Sequence, residues 1–375
     1  SASYDDAPSD PANYRVVAVT SLADSGPGSL RACADRPFKR VCVFETSGRI
    51  ALRTPIVVEH PDLVVAGATA PSPGILVTNS GLKIRAGNVL VEHLAIRPGD
   101  EAEGAEPSER DGVVVEGGLA SSVRLRNLSV SWAVDENVST SGPVRDVSVE
   151  RCIISEALYD SIHPDGPHSM GALVGEGARR VSFVGNLFAA NYDRNVRWKF
   201  DTSGEMVGNL IYGWGGKTPW NTTNLSDLEG GGGAVTLDVV SNVYVPGPEG
   251  LRSAFAVFAE EPPSGTRVFL ADNRAPRETN LPESLLASSP VVGVTAVPYG
   301  SEETPEKVFA EAGSRPWERN PVDKAVISGV RSETLRIRDG VGSFPEVAEH
   351  SRPLPLSGME LAPEEVPAAL AAVPR

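Results

Sequence analysis

Cysteine is scarce in this chain of 375 residues: three in all, Cys33, Cys42 and Cys152, with no CxxC pair. That excludes the common cysteine-based zinc frameworks. Cys33 and Cys42 flank a short segment that a disulfide could close, which would suit an exported protein. Cys152 sits in an apolar strand pattern and reads as a small buried hydrophobe. No stretch approaches the roughly 18 consecutive apolar residues that a membrane span needs. Basic residues are also in deficit, 34 Lys and Arg against 49 Asp and Glu, a formal charge of −15. Nucleic acid is therefore excluded as a partner, since a phosphate-binding face needs clustered cations. An acidic ligand is opposed too, except where the local field is basic. The opening Ser1-Ala-Ser-Tyr-Asp-Asp has neither a basic nor an apolar region. It is either the mature end left by signal cleavage or an arbitrary boundary.

What the chain has in quantity is glycine and proline, 37 and 31, and a repeat. Six alternating segments start at Val89, Val123, Val147, Val181, Gly204 and Leu237. Each carries the period-two pattern of a strand. Their sixth positions hold Leu94, Leu128, Cys152, Asn186, Asn209 and Asn242. Stacked coils about 4.8 Å apart would place those residues in one column. Three asparagines in such a column predict a side-chain ladder that satisfies backbone groups left unpaired at a bend. The fold expected is therefore all-β, a right-handed parallel β-helix, with uneven spacing marking long loops on one face. The helix is expected over residues 1–275. Residues 276–375, rich in Pro, Glu and Ala, are expected to pack along its outside as an extension, with a helix near Pro305–Ala312.

Several long strings stand out: Ser131-Trp-Ala-Val-Asp135-Glu136, then Ile154-Ser-Glu-Ala-Leu…His163-Pro-Asp-Gly-Pro-His168-Ser-Met-Gly. They continue with Asn191-Tyr-Asp-Arg194-Asn-Val-Arg197-Trp-Lys199 and Asn209-Leu-Ile-Tyr-Gly-Trp-Gly-Gly. In these the sequence resembles the pectate/pectin lyase family, from Gly28-Ser-Leu-Arg to about Pro246, with a looser likeness through Val322-Asp-Lys-Ala. The resemblance implies β-elimination on a polyuronic acid such as pectin, with removal of the C5 proton and expulsion of the O4-linked sugar. Charge builds on the substrate carboxylate, so fixed cations must face it, and a base must reach C5. By motif, Arg194 matches the family's arginine base, and Lys199 a substrate-binding arginine. Arg197 can share a strand face with Lys199. His168 stands where the family places a substrate-binding lysine, Asp135 matches one acid of its calcium site, and Trp198 or Trp220 could serve as a sugar platform. Val196 replaces the family's proline after the catalytic arginine.

Matching Val123-Arg-Leu-Arg-Asn to the family's calcium-binding strand places Arg126 where an aspartate is expected and leaves Asp135 with Glu136 beside it. A guanidinium there would repel calcium, which takes six to eight oxygen ligands. The expectation is thus no cofactor, calcium being disfavoured, with Arg126 a catalytic cation in the metal's place; pairing of Arg126 with Asp135 or Glu136 as a structural ion pair stays open. Two rival readings also stay open: a glycoside hydrolase with paired carboxylates, and a β-helix that binds acidic glycans without cleaving them. The expected protein is a secreted or periplasmic monomer acting on an acidic polysaccharide, without nucleic-acid or membrane partners.

Overall fold

The computed structural model describes residues 8–374 apart from 217, 219–220, 226–231, 296 and 298. Its described strands form three sheets of eleven, nine and eight strands, parallel throughout except for one antiparallel strand at the end of the largest, and from Arg40–Phe44 to Arg277–Thr279 consecutive strands of the chain fall in turn on different sheets. This is a parallel β-helix, each circuit laying one short strand on each sheet. Pairing is in register over many coils: Val123 lies between Val89 and Val147, and Val147 opposite Val181. The alternation read in the sequence reflects this arrangement, since every second residue points into the coil. The interior column of Val89, Val123, Val147 and Val181 is fully buried.

How the chain turns the corner is visible in its backbone. After the strands of the eleven-stranded sheet, one residue takes a left-handed φ: His93 (59°), Asn127 (49°), Arg151 (50°), Gly185 (66°), Gly208 (60°), Ser241 (55°) and Asp272 (52°). The next residue then points inward, giving the column Leu94, Leu128, Cys152, Asn186, Asn209, Asn242 and Asn273. The expected ladder is present and one rung longer than the three asparagines predicted. Asn209 Oδ1 accepts from the Asn186 backbone N–H and Nδ2, both at 2.9 Å. Asn242 Oδ1 accepts from the same two groups of Asn209 at 2.9 and 2.8 Å. Asn273 repeats the pattern on Asn242 at 3.0 and 3.1 Å. Each amide also donates to a strand carbonyl, Asn209 Nδ2 to Phe183 O at 2.9 Å. A disulfide joins Cys33 and Cys42, and Cys152 is buried and reduced.

The coils run to Arg277–Thr279, which pairs with Phe255–Ala259, so the β-helix passes the expected boundary at 275. Beyond it the chain returns along the outside. Helix α1 is the short Leu30–Ala34 turn near the start of the chain. On the return path, α2 (Thr304–Glu311) and α3 (Pro321–Arg331) lay Val308, Phe309, Val326 and Val330 on Ile153, Leu187, Leu210 and Tyr212 of the eight-stranded sheet. Carboxylates on the coils pin the segment. Asp238 accepts from the backbone N–H groups of Val291, Val292 and Gly293 at 2.8–3.0 Å. Asp323 on α3 meets the buried Arg97 guanidinium at 2.8 Å and takes the Ser129 hydroxyl at 2.6 Å. The last helix, α4 (Val366–Ala371), follows a strand, Glu360–Leu361, that pairs antiparallel with Tyr14 and Arg15.

Removing a ladder rung orphans several buried groups at once, each costing about 1–3 kcal/mol. Asn209→Ala is therefore expected to lower the urea unfolding free energy by about 3 kcal/mol or more. Ser182→Ala, on the outward face of the same sheet, should change it by less than about 0.5 kcal/mol.

Candidate functional site

One edge of the nine-stranded sheet gathers the chemistry-bearing residues of four successive coils. Asp111 precedes the strand Val113–Glu116, and Glu136 opens the strand Glu136–Ser141; Val113 sits opposite Val138. Glu136 lies opposite Met170, the first residue of Met170–Val174. Met170 in turn bridges to Asp193 in the turn before Arg197–Trp198. Strand spacing thus brings Asp111, Glu136, Met170 and Asp193 into one row.

Carboxylate oxygens of Asp111, Asp135 and Glu136 lie within 4.8 Å of one another. The Asp111 carboxylate also accepts the Glu136 backbone N–H at 3.1 Å. Burial, reinforced by the Asp135 charge, pushes the Asp111 carboxyl up to about 8. Three acids crowded so that one resists ionising fit a hard cation that would relieve their repulsion, and an all-oxygen set suits calcium. The Arg194 guanidinium pairs with Glu136 at the rim of this cluster. Asp135 also belongs to a second group with His163 and His168, whose imidazoles stack on each other at 3.5 Å between centroids. Burial and the neighbouring His168 lower the His163 pKa.

The turn that presents Arg194 is built on buried amides. Arg194 has φ of 56°, a left-handed conformation that a non-glycine residue holds only when its surroundings fix it. Its carbonyl accepts from Ala172 N at 2.6 Å, and its N–H donates to Asp193 Oδ1 at 2.6 Å. Below it a second amide chain runs from Asn137 Nδ2 to Asn191 Oδ1 (3.0 Å), from Asn191 Nδ2 to Asn195 Oδ1 (3.2 Å), and from Asn195 Nδ2 to Asn221 O (2.9 Å). Gly171 permits the close approach, because a Cβ there would lie 2.8 Å from Arg194 O and Asn195 Oδ1. Val196, where the family pattern has proline, is buried after a cis peptide bond.

The structure brings Arg194, Asp135 and His168 together and sorts the other expected residues differently. Arg197 lies on the same sheet between Leu173 and Asn224, and its charge acts on Asp193. Lys199 is partly buried and held by Glu176 at 3.5 Å, so an anionic ligand must compete for it. Trp198 is fully buried in the interior, edge-on to Phe183, and cannot offer a face to a sugar. Adjacent residues of a strand point to opposite faces, so Arg197 outward places Trp198 inward. Trp220 lies outside the described residues.

Arg126 is the principal correction. It ends a strand of the eleven-stranded sheet, with its guanidinium on Glu92, near α4. The acid cluster and Arg194 belong to the nine-stranded sheet. Arg126 therefore neither stands in for a metal nor pairs with Asp135 or Glu136, and the reason for disfavouring calcium disappears with it. Asp111 was missed. Its signal was available, for one coil's length back from Glu136 is an acid heading the run Val113-Val-Val.

No family model matches the chain. It is 31% identical over 242 residues to a probable pectate lyase C of Aspergillus flavus, an alignment covering 64% of this chain and 52% of that protein. To the protein of the same name from Aspergillus terreus it is 30% identical over 241 residues, with the same coverage. The chain thus spans about half the length of these curated relatives. Among solved structures it is similar to jun a 1, the major allergen of cedar pollen (TM-score 0.56, 14% identity, 80% of this chain and 88% of that one). It is also similar to a pectate lyase from Bacillus sp. N165 in complex with trigalacturonate (TM-score 0.54, 12% identity, 80% and 93%). At such identities these structures bear on the fold alone.

Two outcomes follow from the geometry of the turn. Gly171→Ala forces the Arg194 carbonyl or the Asn195 amide aside and is expected to lower stability by about 1–3 kcal/mol, read by urea unfolding. Burial pushes the Asp193 carboxyl up to about 6, against the opposing Arg194 N–H and Arg197 charge. An unfolded aspartate titrates near ~3.9. The folded state therefore holds this proton more tightly, and stability falls as pH rises from about 4 to about 6. Asp193→Asn should remove that portion of the decline, seen by comparing thermal midpoints of the two proteins across the interval; because the side chain is only half-buried, the difference will be modest.

Proposed function

We propose that the chain is a member of the pectate/pectin lyase family, a polysaccharide lyase cleaving a polyuronate, pectate or pectin first, by β-elimination. The single observation that carries this reading is the Arg194 guanidinium set against a cluster of three carboxylates on one sheet edge. A uronate carboxylate is repelled by bare acids, and a cation held between them would reverse that repulsion. Asp111, Asp135 and Glu136 would hold calcium there, and the ion would supply the positive charge that stabilises the carboxylate as the carbanion forms.

The chain's own residues do the rest. Arg194 is the base for the C5 proton, oriented by one oxygen of Glu136 and fixed by the buried turn beneath it. Arg197, Lys199 and His168 offer cations or donors to the uronate groups on either side. Glu176 keeps Lys199 in reach of the sheet edge until substrate displaces it. This concentration of basic groups is what lets a protein with a formal charge of −15 accept an acidic polymer. The Cys33–Cys42 disulfide supports an oxidising, extracellular setting. Among the described residues no helix is long and apolar enough to cross a membrane.

The test is near-ultraviolet absorbance of the new C4–C5 double bond during incubation with polygalacturonate and with methylated pectin, in calcium or in chelator. Absorbance should grow in calcium and stop in chelator. In Arg194→Ala it should fall by about 10³-fold, the scale of a lost general base, with KM changed less than kcat. Growth undiminished in chelator would remove the calcium assignment and keep the lyase. Shortened polymer without absorbance would make the protein a hydrolase, and intact but retained polymer would make it a binding module.

A further inference from the structure

Asp135 belongs to two groups of candidate ligands, one with Asp111 and Glu136 and one with His163 and His168. In the second, His163 Nε2 lies 3.9 Å from its Oδ2 and His168 Nε2 3.8 Å from its Oδ1, with the two rings inclined by 26°. The three candidate ligand atoms fall within 4.8 Å of one another. We propose that Asp135, His163 and His168 form a second cation site, for a borderline first-row transition ion of the Zn²⁺ or Co²⁺ kind, separate from the all-oxygen set and sharing Asp135 with it.

Ligand chemistry separates the two sets. Carboxylates alone suit hard cations, whereas two imidazoles with one carboxylate are the donor set of tetrahedral zinc with an open fourth position. Bonds of about 2.0–2.2 Å place tetrahedral ligand atoms roughly 3.3–3.6 Å apart. The spacings of 3.8 and 3.9 Å run to different oxygens of Asp135, and with the three ligand atoms within 4.8 Å of one another the set closes by up to about 1 Å as the stacked rings splay and turn toward the ion. His168 is already in the orientation metal-binding histidines adopt. Its Nδ1 sits 3.0 Å from the Gly166 carbonyl, so that nitrogen carries the hydrogen and Nε2 presents its lone pair. His163 must change more. Its Nδ1 accepts the Asp165 N–H at 3.2 Å, a long contact given up when Nε2 takes the ion.

The loop bearing these histidines is braced, which is what a site on a loop requires. The outer segment of the chain touches it through one isolated bridge and two further hydrogen bonds: Leu158 bridges to Arg338, Tyr159 N–H donates to Arg338 O at 2.8 Å, and Asp160 N–H to Asp339 Oδ1 at 3.3 Å. At its far end His168 N–H returns to Tyr159 O at 2.9 Å, and the Ser169 hydroxyl to Ala157 O at 2.5 Å. Both imidazoles therefore spring from a closed loop whose two ends are tied together and to the extension.

The test is titration of the metal-stripped protein with cobalt chloride, with calcium in excess to occupy the oxygen ligands. The visible d–d spectrum is read, a quantity that does not depend on lyase activity. The site predicts about one equivalent of Co²⁺ with the intense bands of four- or five-fold coordination. Its affinity should fall at least tenfold in His163→Ala, His168→Ala and His168→Lys. The last variant keeps a cation but loses the nitrogen lone pair, and thermal unfolding without metal shows whether each variant is folded. A wild type showing only the faint spectrum of six-coordinate cobalt, or binding equal in wild type and the folded variants, would overturn the proposal while leaving the lyase reading where its own assay puts it.

Discussion

A parallel coil can turn a corner only by giving up strand hydrogen bonds, and in this chain buried amides take over the lost partners. One residue goes left-handed, the next turns inward, and where that residue is asparagine its side chain bonds the coils before and after it. Each amide is committed on both its oxygen and its nitrogen, so the rungs hold coil spacing as well as coil shape. Register over many coils rests on this. A slip by one residue would turn every inward valine outward and break each rung together.

The same device, moved to another corner, makes the site. Asn137, Asn191 and Asn195 fix the turn below Arg194 much as Asn186, Asn209 and Asn242 fix the bends elsewhere. Arg194 is thus mounted on the architectural element of the fold rather than on a free loop. Its neighbours Asp111 and Glu136 arrive by stacking alone, each from its own coil. Pre-organisation of this kind is what lets a charged side chain remain half-buried in a strained backbone conformation.

Much of this was legible in the sequence, and the parts that were not share a cause. Period-two segments and the asparagine column marked the coils, because stacking repeats the same demand at each level. The strings around Arg194, Asp135 and His168 pointed to one place because each sits within a single turn. Arg126 and Asp111 went wrong together for a different reason. Short Val-x-Leu and Val-Val-Val strands look alike on every sheet, so matching one strand of a β-helix to a family pattern does not reveal which sheet it occupies. Trp198 was misjudged by ignoring its own neighbour, since Arg197 outward forces it inward. For the outer segment, the helix near Pro305–Ala312 was legible and is found at Thr304–Glu311, but its path was opaque because its anchors are single carboxylates, Asp238 and Asp323, whose partners lie tens or hundreds of residues away.

A solenoid has a further problem at its ends, where the first and last strands show unpaired backbone to solvent and invite a second molecule to continue the stack. Here the first strand of the eleven-stranded sheet already has a neighbour on its open side. Glu360 and Leu361 pair with Arg15 and Tyr14, and they run antiparallel, against the sense of every other strand in that sheet. Glu360 also takes the Ser9 backbone N–H and hydroxyl at 2.6 and 2.7 Å. The returning chain thus acts as a stopper: it occupies the template in the wrong direction for further growth, so that one face of the rod is barred from joining others end to end into fibres.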